Sequence, residues 1–120
     1  MFLKVQKTPM LYLQHKDMDP SYITPVTSML QINMNHVAEI SIYTIKEVKQ
    51  RKLLDQSEIS VPVGTNVIHL VMSYTHSTHS VKSDNNATVN QRYYYKLIFL
   101  PGADAEFLRI KRIFDKLTFE

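Results

Sequence analysis

A mainly β fold of the α+β class, an antiparallel twisted sheet or small barrel with one C-terminal α-helix packed on it, is predicted by three observations. Tyr93-Tyr94-Tyr95-Lys96-Leu97-Ile98-Phe99-Leu100 places aromatic or apolar residues on both alternating faces, the pattern of a strand covered on both sides. After Pro101-Gly102 the period changes, and Phe107, Ile110, Phe114 and Leu117, flanked by Ala103 and Ile113, form one stripe of a helix about four turns long. The remaining apolar residues fall in short runs separated by turn chemistry rather than in further helical stripes.

In chain order, Met1 to Val5 and Met10 to Gln14 read as short strands, with Lys7-Thr8-Pro9 between them as a turn or edge interruption. His15 to Ser21 is polar and turn-rich. Pro20 and Pro25 bracket Tyr22-Ile23-Thr24, which is extended but not central in a sheet. Met29 to Asn33 leads into Val37 to Tyr43 through a tight or single helical turn marked by Asn33 and Asn35, because asparagine caps locally. Thr44 to Gln56 is a short helix or the tip of a hairpin. Glu58 to Val63 and Val67 to Met72 read as a strand pair across a turn at Gly64-Thr65-Asn66, the second of the two central. From Thr75 to Gln91 little can pack, and Asp84-Asn85-Asn86 is a turn signal flanked by serines and threonines. The solution is a long projecting hairpin, residues 75–91, on a base of Val67 to Tyr74 and Arg92 to Leu100.

The helix carries Asp104 and Glu106 in its first turn and Lys111, Arg112 and Lys116 later, the order its dipole favours. Burying its four stripe residues is worth roughly 6–12 kcal/mol before entropy, so it has to lie on the sheet.

The 120 residues form a single domain, 1–120, with a globular composition: 44% hydrophobic and 21% charged. With no cysteine, disulfides and cysteine zinc sites are excluded and a reducing cytoplasm suits the chain. The opening residues have no apolar run of signal-peptide length, and no stretch is long and apolar enough for a transmembrane helix. The net charge is +3, and Lys46, Lys49, Arg51 and Lys52 against Glu47 account for that whole excess.

The runs "LQINMNHVAEISIY" and "TNVIHLVMS" resemble the pattern of short bacterial β-proteins of the FlbD-like kind, where a strand ends at an Ile-Asn turn and a "VIxL" strand pairs with the next. The likeness covers about half of the 120 residues; the long segments 44–57 and 75–91 depart from it. A twisted antiparallel sheet closed by a C-terminal helix also resembles the pleckstrin-homology-like architecture, a likeness of fold that implies no function.

Enzymatic motifs are absent. Gly64 and Gly102, the two glycines, cannot build a phosphate loop or dinucleotide fingerprint. His76 and His79, with His69 nearby, lack an acidic or cysteine neighbour at metal-ligand spacing, so no metal and no cofactor is expected. His36 and His69 read as satisfied sheet or core histidines. The expected function is therefore a non-catalytic interaction or assembly module that contacts copies of itself or other assembly proteins through an arm carrying His76, His79, Lys82, Asp84, Asn85 and Asn86. Small β-proteins of phage tails and connectors use arms this way, which would place the chain in the cytoplasm or a virion, without membrane contact. Two rivals stand beside it. A basic patch of Lys46, Lys49, Arg51, Lys52, Arg92 and Lys96 with Tyr94 for stacking could bind nucleic acid. A regulator could instead bind a nucleotide or small ligand at a subunit interface. Tyr93 and Tyr95 share the face of Leu97 and Phe99 and belong to the core, whereas Tyr94 points away with Lys96.

Overall fold

The computed structural model describes residues 1–79 and 88–117, with backbone alone at 74–79 and 88–92. Nine strands precede one helix: β1 Phe2–Val5, β2 Leu11–His15, β3 Thr24–Pro25, β4 Leu30–Asn33, β5 Val37–Thr44, β6 Lys49–Lys52, β7 Glu58–Val61, β8 Asn66–His79, β9 Thr88–Phe99 and α1 Asp104–Leu117. A 3-10 turn, Met34–His36, links β4 to β5, and the Asn33 side chain accepts the Asn35 N–H at 3.0 Å, the local cap that the two asparagines predict.

The main sheet is antiparallel, in the order β3-β2-β9-β8-β5, and two two-stranded sheets, β1-β4 and the β6-β7 hairpin, lie outside it. The mainly β expectation with one C-terminal helix holds. A barrel does not form, because β3 and β5 end the five-stranded sheet as separate edges. β3 is two residues long and contains Pro25, which cannot donate to a further ladder.

The segment 44–57 resolves as part of a hairpin and not a helix: β6 pairs with β7 from Lys49↔Val61 to Lys52↔Glu58. The turn between them places Gln56 at a φ of 72° and is held by the Asp55 carboxylate accepting the Ser57 N–H at 2.9 Å. The expected pairing of Glu58–Val63 with Val67–Met72 is replaced. Pro62 lacks a ladder donor and Gly64 turns the chain at a φ of 93°. β7 therefore leaves the plane, and β8 pairs with β5 and β9 instead.

Alternation on β9 generates two cores. Leu97 and Phe99 join Ile68, Leu70 and Met72 of β8, Leu11 of β2, Leu3 and Val5 of β1, and Ala103, Phe107, Ile110 and Phe114 at the helix. Ile98 and Leu100 on the other side join Val67, Val61 and Ile23, with Tyr12, Ile45, Leu53 and Ile59 packed against them. Each fully buried side chain of this size contributes about 1.5–3 kcal/mol. The helix lies on the first face, the Phe107 ring 5.5 Å from that of Phe99. Gly102 enters the helix at a φ of 109°, with Met10 Cγ close enough to meet any added Cβ at 3.3 Å.

Two helix residues depart from the sequence reading. Leu117 is 44% exposed rather than buried, because the apolar stripe ends one turn earlier at Phe114. Glu106, read from the sequence only as a first-turn acid that suits the helix dipole, is buried at 8% exposure. It accepts the Gln6 N–H at 2.6 Å and the Arg109 guanidinium at 2.6 and 2.7 Å, while Arg109 Nη2 also donates to the Lys4 carbonyl at 2.6 Å. The pair ties α1 to the end of β1 and satisfies backbone groups there. Ile110→Ala is expected to lower the unfolding free energy by about 2–5 kcal/mol, and Leu117→Ala by no more than about 0.5 kcal/mol, as read from urea denaturation. Equal effects would mean that the helix is seated differently.

Candidate functional site

The face of the sheet opposite the helix carries the polar chemistry, and strand register sets its rows. Lys96 lies opposite Gln14 of β2 and His69 of β8, and His69 lies opposite Ser41 of β5. One row further, Ile98 is flanked by Tyr12 and Val67, and Val67 by Tyr43. In the other direction Tyr94 neighbours Val71, itself opposite Glu39. The β6–β7 hairpin covers the apolar row and stops short of the polar one.

A recess of about 50 Å³ lies where the cover ends, lined by Gln14, Tyr43, Ile45, Lys49, Arg51, Val61, Val67, Lys96 and Ile98. Its floor is apolar, with Val67 1% and Ile98 7% exposed. Lys49 is 3.8 Å from the exposed Glu47 carboxylate, and Arg51 Nη1 donates to the Gln50 carbonyl at 2.8 Å. Gln14 Nε2 donates to the Pro20 and Tyr22 carbonyls at 2.6 and 3.3 Å, which fixes its amide. Burial pushes the Tyr43 hydroxyl's pKa up, against the opposing charge of Arg51, so Tyr43 stays protonated at neutral pH.

The predicted basic set is thus split. Lys49, Arg51 and Lys96 all line the recess, and Lys96 Nζ lies 5.8 Å from the ring centroid of the neighbouring Tyr94. Lys46 lies outside the lining. Lys52 works elsewhere: its backbone bonds to Ser21 and Ile23, and its charge assists the Ser21 hydrogen bonds that hold the Asp19 carboxyl below its usual range. The backbone of Arg92 pairs with Thr75, and its side chain is outside the described residues. Sequence reading missed Tyr43 and Gln14, which reach the recess only through cross-strand register.

The tyrosine trio divides as its alternation requires. Tyr93 stacks on His15 at 6.5 Å and donates to Asp17 at 3.0 Å on the helix side, tilted against Tyr95. Tyr94 faces the other way and meets the His69 ring edge-on at 5.3 Å.

Of the arm residues, His76 and His79 lie in the β8–β9 ladder, opposite Gln91 and Thr88. Their side chains, and Lys82, Asp84, Asn85 and Asn86 altogether, fall outside the described residues. Among the described residues no group of three metal-ligating side chains gathers, and no helix is long and apolar enough to cross a membrane. In comparison with known proteins, no family model, no curated protein and no solved structure matches the chain.

His69 is less satisfied than a sheet histidine was expected to be, since its buried Nε2 has no hydrogen-bond partner among the described residues. Burial, and then the Lys96 charge, push its pKa below 6.5, with Glu39 opposing. The unfolded chain therefore takes up this proton more readily than the folded one. The contribution of His69 is complete above 6.5 and is lost as pH falls below it. Between about pH 7.5 and 5.5 the wild-type Tm should fall more than that of His69→Gln, measured by calorimetry; parallel curves would show that the ring titrates as in water.

Proposed function

We propose that the protein is a non-catalytic assembly module that joins copies of itself by strand addition. The observation that carries this reading is the outer edge of β5. It ends the five-stranded sheet over eight residues, and all but Val37 are exposed, including Ile40, Ile42 and Tyr43. Natural sheets blunt such edges with lysine, proline or short strands. β5 has a bulge and a charge at its start, between Val37 and Glu39, but the run from Ile40 to Thr44 carries neither charge nor proline. Its apolar side continues into a groove of about 520 Å³ lined by Met1, Met34, Val37, Ala38, Ile40 and Leu117, with Asn35 as its polar member. Antiparallel pairing about Ser41 would set Ile40 of each copy opposite Ile42 of the other, on the same face, as cross-strand packing requires.

The hairpin adds further open edges. β5 accompanies β8 only as far as Met72, and β2 accompanies β9 only from Tyr95 onward. Beyond those points, among the described residues, Thr75–His79 and Thr88–Arg92 pair only with each other. Light scattering at micromolar concentration should give at least twice the chain mass for the wild type and the chain mass for Ile42→Lys, a substitution at an exposed site. A monomeric wild type would retire the proposal.

A second reading, nucleic-acid binding, is favoured by the meeting of Lys49, Arg51 and Lys96 beside Tyr94. Three phosphate contacts would make log affinity for a single-stranded oligonucleotide fall with log salt at a slope of about −2. A flat response, measured by fluorescence anisotropy, removes this reading.

A further inference from the structure

We propose that the recess between the β6–β7 hairpin and the main sheet is a binding site for a single phosphoryl group. The inference does not depend on self-association, and it does not require a polymeric ligand.

Three cations approach the recess from two layers. Lys49 and Arg51 are two residues apart on β6, so they share one side of the hairpin, while Lys96 comes from β9 in the sheet beneath. Among the described residues neither Arg51 nor Lys96 has a carboxylate partner, and Lys49 has Glu47 at 3.8 Å. Three cationic side chains among the lining residues, less the Glu47 carboxylate beside Lys49, leave a net formal charge of +2, the complement of a phosphoryl dianion; a lone carboxylate would neutralise half of it.

Like charges held together repel, and here the apolar floor of Val61, Val67 and Ile98 weakens solvent screening on one side. A bound dianion removes that repulsion. Donor chemistry agrees with charge. Arg51 presents a planar fork, the two lysines supply point charges, and the Tyr43 hydroxyl donates. Among the described residues no acid lines the recess.

Size narrows the ligand. The recess holds about 50 Å³, room for a few waters at roughly 10–15 Å³ each. The head of an oxyanion fits, whereas a base or sugar must stay outside, next to Tyr94. Such a group could belong to a small phosphorylated metabolite or to one phosphodiester of a strand.

The test titrates the isotope-labelled full chain with inorganic phosphate at ionic strength held constant with chloride, following amide shifts by NMR. The expected result is saturable shifts confined to Gln14, Tyr43, Lys49, Arg51, Lys96 and their neighbours, with Kd of about 1 mM or below. Arg51→Gln should bind at least about tenfold more weakly, with an unchanged spectrum away from the recess. Absence of saturation, shifts spread over Lys4, Lys7, Lys111 and Lys116, or identical binding by Arg51→Gln would overturn the proposal; the wild-type titration decides even if the variant misfolds. A nucleoside monophosphate and a short oligothymidylate, added in parallel, separate the two sources. Binding of the monophosphate without the oligonucleotide keeps the recess and removes the nucleic-acid reading.

Discussion

The structure depends on one strand having to be covered on both sides. Between Tyr93 and Leu100 successive side chains of β9 point to opposite faces, and both sets are too apolar to leave in water. Leu97 and Phe99 demand a layer on one side, supplied by α1 and the β1–β4 pair. Ile98 and Leu100 demand one on the other, supplied by the β6–β7 hairpin and Ile23. The two small outlying sheets are thus covers for a central one, and their positions follow from the alternation of a single segment.

That demand is local in sequence, which is why much of the fold could be read before the structure. Strand β9, the break at Pro101-Gly102, the helical stripe and the asparagine turn are all set by neighbours within a few residues. The parts that could not be read depend on register between distant segments. Nothing near Glu58 says that β7 will pair with β6 and leave β8 to β5. Nothing near Glu106 says that the Gln6 N–H and Arg109 will need its carboxylate. The recess has the same origin. Its basic members were visible as charges, but Tyr43 and Gln14 join them only because Tyr43 pairs with Val67 and Gln14 with Lys96.

The two covers also differ in how they end. On the helix side the apolar surface runs out to exposed Met1, Phe2, Leu117 and Ile40, so that side offers surface to another apolar body. On the hairpin side the cover stops against charge, and the polar row of Gln14, Lys96, His69 and Ser41 takes over. One sheet therefore presents an apolar margin on one face and a cationic one on the other, and the two meet at β5, whose Tyr43 lines the recess.

The unequal lengths of β3 and β5 have a consequence for growth. A filament that extends by adding sheet to sheet needs a receptive margin at each end of the repeating unit, and here the short, proline-bearing margin at β3 refuses one of them. If β5 joins β5, the main sheet ends at ten strands with β3 on both flanks, and, among the described residues, the open edges that remain to it are those of the β8–β9 hairpin. The width of the joined sheet would then be set by two residues, Thr24 and Pro25, far from the contact they limit.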